Sequence, residues 1–161
     1  MKIGVLLGSV REGRLGERVA TWVMNRLAQQ PDVEAVLLDL KEFGLPFYAE
    51  ASDPSKIETY ADEAGNRWAA AVAELDGFVI VAAEYNHGYT PALKNALDYL
   101  YKEWNNKPVS FVSYSSGAMG GARAVEQLRQ VVVNLKLVGI PEALHLGKVA
   151  EIISEDGVAL R

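Results

Sequence analysis

A segment rich in glycine and arginine follows the first apolar run of the chain. Residues 8–16 have the sequence GSVREGRLG and supply a serine hydroxyl, two guanidinium groups and several backbone N–H groups where a helical pattern begins. Helix N-termini favour anions, and each charge-assisted hydrogen bond adds about 1.5–3 kcal/mol. The segment therefore predicts a site for a terminal phosphate, with Ser9, Arg11 and Arg14 as its side-chain candidates.

The same segment departs from the two common nucleotide-binding motifs. Gly8 and Gly13 have the spacing of a P-loop, but Arg14 and Leu15 stand where a P-loop has Lys and then Ser or Thr. Because that hydroxyl binds magnesium in a P-loop, its absence argues against an NTPase. The G-x-G-x-x-G pattern of dinucleotide-binding turns is also absent from this segment.

The two arginines have a simpler alternative interpretation. Arg11 and Arg14 could be solvated loop charges that pair with Glu12 or Glu17. Their position after a first strand favours phosphate binding instead, because ligands of open α/β sheets bind beyond the carboxyl ends of the strands.

A second polar segment follows the most hydrophobic run, residues 78–83. It extends from Glu84 to His87 and precedes Pro91, a residue that suits the first turn of a helix. Backbone groups and the Asn86 amide could bind the polar edge of a flat ring such as isoalloxazine, while a tyrosine packs beside it. Taken alone, His87 is better explained by ordinary surface packing, and the cluster as a whole predicts a ring-binding site.

A third segment, residues 113–121, follows another strand pattern and consists largely of Ser and Gly. Small residues let the backbone approach a ligand closely. An ordinary flexible strand-to-helix turn explains the same composition, and both interpretations stay open from the residues alone.

The composition excludes several classes of function. The absence of Cys excludes disulfides, thiolate zinc sites, iron–sulfur clusters and a Cys nucleophile, and two His are too few for a His-based metal site. The net charge of −5, without an obvious basic face, argues against a nucleic-acid partner. The apolar runs are strand-sized and no signal-peptide pattern follows the N-terminus, so we expect a cytoplasmic protein without a membrane segment.

Strand and helix patterns alternate along the chain. Strands are predicted over residues 2–8, 33–40, 78–83, 109–114 and 142–149, and helices over residues 15–27, 57–75, 91–104 and from 121 to a stop at Gly139 and Pro141. This alternation predicts one α/β domain, residues 1–161, with helices on both faces of a parallel sheet. Five strands favour a flavodoxin-like three-layer sandwich of order 2-1-3-4-5, which places the first two polar segments together between strands 1 and 3.

At these residues the sequence resembles the NADPH-dependent FMN reductase family, a flavodoxin-like group that includes azo-dye, quinone and chromate reductases. The resemblance extends from residue 2 to about residue 147. It rests on the G-S-x-R of residues 8–11, on the EYNH of residues 84–87 with the P-x-LKNALD of residues 91–98, and on residues 115–123. The middle block is the most specific of the three.

The resemblance implies FMN as the cofactor and NADPH or NADH as the hydride donor, with the chemistry on the flavin and no catalytic side chain or metal. It also implies a homodimer or homotetramer and a small acceptor such as a flavin, a quinone or an azo compound. The FMN-binding residues that it implies are Ser9, Arg11, Arg14, Leu15, Gly16, Glu84, Tyr85, Asn86, His87, Ser115 and Gly117.

Two positions depart from the family pattern. Ala83 stands where the family usually has Pro, and Gly16 offers no side chain where some relatives have a polar one. The expected activity is that of an FMN-dependent NAD(P)H oxidoreductase. The main alternative is a flavodoxin-type one-electron carrier that binds FMN without direct reduction by NAD(P)H. A nucleotide-binding module without flavin and a protein that only keeps the fold for interaction are further alternatives.

Overall fold

The computed structural model describes residues 1–160, which form a five-stranded parallel sheet with packing elements on both faces. The strand order is β2-β1-β3-β4-β5, which confirms the predicted flavodoxin-like topology. The strands are β1 (Lys2–Leu7), β2 (Glu34–Asp39), β3 (Gly77–Ala83), β4 (Pro108–Tyr114) and β5 (Val138–Leu146). The helices are α1 (Gly16–Leu27), α2 (Leu40–Phe43), α3 (Glu63–Ala73), α4 (Pro91–Asp98) and α5 (Ala122–Asn134).

Two hydrophobic clusters hold the layers together. On one face, α3, α4 and α5 bury Trp68, Leu97 and Leu128 against the sheet. On the other face, α1 and a short C-terminal segment bury Val19 and Ile153. No helix within residues 1–160 combines the length and the hydropathy needed to cross a membrane.

The start of α3 differs from the prediction. A helix from Ile57 is wrong, because the chain stays irregular until Asp62 and α3 begins at Glu63. The Asp62 carboxylate accepts a hydrogen bond from the Gly65 N–H at 2.6 Å and so caps the helix. Ile57 and Tyr60, which lie within the range predicted as helical, are buried as parts of the preceding loop.

The bounds of β5 also differ from the prediction, which placed a strand over residues 142–149. Gly139 and Pro141, expected to end α5, lie within β5. A proline is tolerated there because β5 is an edge strand, where no further strand needs its N–H. Arg129 donates to the carbonyl oxygens of Ile140 and Pro141 at 3.1 and 2.7 Å and fixes this part of the edge.

The predicted helix over residues 91–104 is divided in two. α4 ends at Asp98, and a short 3-10 turn at Lys102–Trp104 follows it. The Trp104 side chain is buried and its indole N–H donates to the Leu97 carbonyl oxygen at 3.2 Å. The hydrophobic periodicity is therefore kept although the backbone is not one continuous helix.

Backbone hydrogen bonds extend the sheet beyond three strands and fix where the polar segments begin. The Gly8 N–H donates to Val81 O at 3.1 Å, and the Glu84 N–H donates to Tyr114 O at 3.2 Å. The Ser115 N–H donates to Leu146 O at 3.2 Å. All three polar segments of the sequence analysis therefore begin at fixed points at the carboxyl end of the sheet.

Candidate functional site

A cavity of about 410 Å³ lies at the carboxyl ends of β1, β3 and β4. It is lined by parts of all three polar segments, and the predicted residues in its wall are Ser9, Arg11, Arg14, Leu15, Glu84, Tyr85 and Ser115. Four predicted residues lie outside that wall, namely Gly16, Asn86, His87 and Gly117. The structure thus brings most of the predicted site together at the place where the topology expects a ligand.

Arg14 stabilises the loop between β1 and α1 through hydrogen bonds. Its side chain is only 4% exposed, and its guanidinium donates to both carboxylate oxygens of Asp39, at 2.8 and 2.5 Å. It also donates to Ser9 O at 2.5 Å and to the Glu17 carboxylate at 2.9 Å. The pairing of Arg14 with Glu17 was an open alternative in the sequence. The pairing with Asp39 at the end of β2, which accepts two hydrogen bonds from Arg14, was not predicted.

Arg11 occupies a different environment. Within residues 1–160 no carboxylate lies at ion-pair distance from its guanidinium, which is exposed and sits 5.9 Å from the centre of the Tyr85 ring. Leu15, at the start of α1, supplies no side-chain cap to the helix. An unpaired cation beside uncapped helix N–H groups is suited to an anionic ligand.

Three hydroxyl groups meet beneath this loop. The Ser9 and Tyr85 hydroxyl oxygens are hydrogen-bonded at 2.8 Å, and the phenol of Tyr114, at the end of β4, adjoins them. Burial, with a smaller contribution from the neighbouring Tyr85, raises the pKa of Tyr114 to about 12, although a hydrogen bond with Ser9 and the two arginines oppose the shift. The phenol therefore stays protonated and can donate or accept a hydrogen bond.

Tyr114 lies within the third segment, residues 113–121, but was not among the predicted FMN-binding residues. The available signal was its place as the last residue of a strand whose alternate residues point into the α1 layer. Its hydroxyl also explains Gly16. A Cβ built at Gly16 overlaps the Tyr114 hydroxyl and comes within 2.7 Å of Leu7 Cδ1, so this position has no room for a side chain.

The segment after β3 forms a tight turn. The Tyr85 N–H donates to Gly88 O at 2.8 Å and the Gly88 N–H donates to Tyr85 O at 3.0 Å, with Asn86 and His87 at positive φ of 49° and 71° between them. Gln127 on α5 donates to His87 O at 3.1 Å and fixes the turn. The Asn86 and His87 side chains are exposed at the rim rather than in the cavity wall.

Glu84 has an unusual buried carboxylate. Its side chain is 6% exposed, and one oxygen accepts hydrogen bonds from the Arg123 guanidinium on α5, from Nε at 2.8 Å and from Nη2. The other oxygen, Oε2, is buried and has no hydrogen-bond partner among residues 1–160. An unpartnered carboxylate oxygen in a residue of the cavity wall is complementary to an N–H or O–H donor of a ligand.

The third segment is held by short local bonds. Ser115 Oγ donates to Gly117 O at 2.9 Å, and the Lys148 N–H donates to the same carbonyl at 3.0 Å. Ser113, fully buried at the base, donates to Gly120 O at 2.7 Å. The Ser/Gly loop is thus hydrogen-bonded to its own residues and to Lys148, which argues against a flexible turn.

These residues fit FMN. The uncapped start of α1 with Ser9 and Arg11 suits its phosphate, and Glu84 supplies an acceptor that a ring N–H or a ribityl hydroxyl would satisfy. Among the residues that the structure describes, no cluster of His, Asp and Glu has the arrangement of a metal site.

Comparison with known proteins agrees with this chemistry. Residues 1–151 match the family model described as NADPH-dependent FMN reductase. The chain is 37% identical to the NAD(P)H-dependent FMN reductase ntnL of a Nectria species, over 98% of this chain and 82% of that protein. It is 29% identical to the quinone reductase of Escherichia coli strain K12, over 94% and 79%.

A solved structure has the same fold. The flavoenzyme NAD(P)H:(acceptor) oxidoreductase FerB from Paracoccus denitrificans superposes with a TM-score of 0.78 at 26% identity, covering 99% of this chain and 86% of that one. Flavodoxins, such as one from Pseudomonas aeruginosa, superpose less well, with a TM-score of 0.58 at 17% identity, and share the fold alone.

Proposed function

Because this chain belongs to the NADPH-dependent FMN reductase family, we propose that the cavity at the ends of β1, β3 and β4 holds the flavin. The chain is a flavin-dependent NAD(P)H oxidoreductase with FMN as its cofactor. The residue roles given below, the acceptor and the assembly are parts of the proposal.

Arg11 and Ser9 bind the FMN phosphate together with the first N–H groups of α1. The observation on which this rests is the contrast between the two arginines of one loop. The Arg14 guanidinium donates hydrogen bonds to Asp39, Glu17 and Ser9 O. Arg11 lines the cavity and has no ion-pair partner among residues 1–160. Arg14 therefore positions the loop, and Arg11 meets the ligand.

The segments after β3 and β4 form the walls on either side of the ring. Glu84 Oε2 accepts a hydrogen bond from the ligand, and the positive-φ turn at Asn86 and His87 closes the rim. Ser115 lies in the opposite wall, and its hydroxyl donates a hydrogen bond to Gly117 O. When bound, the flavin supplies the hydride chemistry, so the side chains need only bind it, orient it and leave one face open.

The acceptor is a small organic molecule that takes the place of the nicotinamide after the flavin has been reduced. Alternating use of one site implies ping-pong kinetics. A homodimeric or homotetrameric state, a cytoplasmic location and the lack of a nucleic-acid partner stay predictions. A flavodoxin-type carrier is less supported, because the curated relatives that match at useful identity are named as reductases.

The test is an anaerobic titration of the FMN-loaded protein with NADPH, followed by flavin absorbance. We expect stoichiometric bleaching within the mixing time of a conventional experiment. Bound FMN that NADPH fails to bleach would favour the one-electron carrier. A protein that binds no FMN would overturn the proposal.

A further inference from the structure

The cavity assigned to the flavin has one acidic side chain in its wall. Among the described residues that line it, Glu84 alone carries a carboxylate, whereas Arg11 and Arg14 are cationic. The charge of Arg14 is balanced by Asp39, and Arg11 is assigned to the phosphate. Glu84 is therefore the source of negative charge in the part of the wall that we assign to the ring.

The ion pair of Glu84 differs in geometry from that of Asp39. Arg14 donates to both carboxylate oxygens of Asp39, so both are satisfied. Arg123 instead directs Nε, at 2.8 Å, and Nη2 to the same oxygen of Glu84, and Oε2 has no hydrogen-bond partner among residues 1–160. Arginine and carboxylate groups frequently pair through two parallel hydrogen bonds to two oxygens. The Glu84 carboxylate is thus paired on one side only.

The place of Arg123 is also unusual for a cation. Arg123 is the second residue of α5, and the first turn of that helix contains no acidic residue. The helix dipole disfavours positive charge at this end of a helix. The neighbouring residues Ala124 and Val125 are buried, so the backbone that carries Arg123 is fixed. A cation that stands at a fixed point against the local preference is typical of a functional position, and its ion-pair partner is Glu84.

We propose that Arg123 is a positioning residue that holds the Glu84 carboxylate in the cavity wall, and that the two charges together set the reduction potential of the bound flavin. This rests on the proposed function. Reduction adds two electrons and, above neutral pH, one proton, so the flavin gains one negative charge. The Glu84 carboxylate disfavours that charge and the Arg123 guanidinium favours it, and the pair keeps the two effects close to balance.

The test measures the potential without NADPH. The FMN-loaded protein is reduced slowly and anaerobically at about pH 8 by xanthine and xanthine oxidase, with anthraquinone-2-sulfonate as the reference dye. Fluorescence quenching gives the dissociation constant of oxidised FMN. The two measurements together give the ratio of the dissociation constants of reduced and oxidised FMN, which reports how strongly the protein disfavours the added charge.

Opposite changes are expected for the two members of the pair. Arg123→Met should raise the ratio of reduced to oxidised dissociation constants on the order of tenfold, which lowers the potential by about 30 mV. Glu84→Gln should lower the ratio by a similar factor, and the double variant should stay within about threefold of the unmodified protein. Arg123→Lys keeps the cation and should also stay within about threefold.

Arg129→Met is the matched control, because it removes a cation from the same helix. Arg129 donates to carbonyl oxygens of β5 and does not line the cavity, so its loss should leave the ratio within about twofold. A similar shift in Arg129→Met and Arg123→Met would assign the effect to net charge and overturn the inference.

A purely structural role for the pair predicts a different result. Arg123→Met would then weaken reduced and oxidised FMN equally, or Glu84→Gln would shift the ratio in the same direction as Arg123→Met, and either outcome overturns the inference. If Arg123→Met does not fold, an unchanged ratio in Glu84→Gln is sufficient to overturn it. Failure of NADPH to bleach the flavin refutes the proposed function separately, because the potential is measured without NADPH.

Discussion

The two arginines of the β1–α1 loop should separate stability from cofactor affinity. Arg14→Met keeps the length and apolar stem of the side chain and removes its four hydrogen bonds. Arg11→Ala removes an exposed side chain whose guanidinium has no ion-pair partner within residues 1–160. The first change should act on folding and the second on FMN.

The magnitude for Arg14 follows from the burial of its partners. Loss of one member of a fully buried ion pair costs about 3–5 kcal/mol. Asp39 is 15% exposed and Glu17 is 63% exposed, so the Glu17 bond adds little and water can reach part of the stranded Asp39 carboxylate. We therefore expect Arg14→Met to lower the free energy of unfolding by about 2–4 kcal/mol.

The magnitude for Arg11 comes from charge-assisted hydrogen bonding. Arg11→Ala should leave the free energy of unfolding within about 0.5 kcal/mol, as for most surface changes. Loss of about 1.5–3 kcal/mol of interaction with the phosphate should weaken FMN binding by roughly 10- to 150-fold. Arg18→Met, which removes a surface pair with the exposed Glu155, is the matched control and should change neither quantity appreciably.

Urea unfolding of the FMN-free proteins, followed by tryptophan fluorescence, measures the first quantity, because Trp68 and Trp104 are completely buried. Quenching of FMN fluorescence measures the second. If Arg14→Met unfolds like the unmodified protein and weakens FMN binding as much as Arg11→Ala does, Arg14 is a direct phosphate ligand. The division of roles argued from the structure would then be wrong.

Two further predictions concern the same edge of the sheet. The pKa of Tyr114 is raised to about 12 in the folded protein, above about 10 for a free tyrosine, so this residue adds stability below pH of about 10 that is lost between about pH 10 and 12. Between about pH 10 and 12 the unmodified protein should lose about 2–3 kcal/mol more unfolding free energy than Tyr114→Phe. If urea unfolding shows the same loss of free energy with pH for both proteins, the burial assigned to Tyr114 is contradicted. Gly120→Ala should cost about 3 kcal/mol or more, since φ is +61° and the new Cβ would lie 2.6 Å from the His145 carbonyl carbon. Gly44→Ala, with the same φ and no atom of the described residues within 4 Å of the new Cβ, should cost only about 1–2 kcal/mol. Similar thermal shifts for the two variants would refute the steric argument.

The order of the strands was predictable because apolar runs alternate with helical periodicity, and that alternation admits few topologies. The place of the site followed from the same topology. The bounds of β5 were not predictable, because Gly139 and Pro141 have the local signature of a loop and only their position at a sheet edge makes them strand residues. The predicted start of α3 was wrong for a related reason, because buried apolar residues of the preceding loop were assigned to the helix.

Within the candidate site, the residue types were predictable from the sequence, but the different surroundings of Arg11 and Arg14 were not. Arg11 and Arg14 are three positions apart and look equivalent in the sequence. Their roles differ because Asp39, at the end of a strand distant in sequence but adjacent in the sheet, captures only Arg14.

The contact between Gly16 and Tyr114 has an evolutionary consequence. Because the phenol oxygen fills the volume that a Cβ at position 16 would need, a side chain at position 16 requires the tyrosine at position 114 to move or to be replaced. Substitutions at the two positions should therefore be inherited in pairs, with a hydroxyl offered either by the first turn of α1 or by the last residue of β4. A lineage can move this hydroxyl from a helix to a strand while the β1–α1 loop keeps the same chemical neighbour.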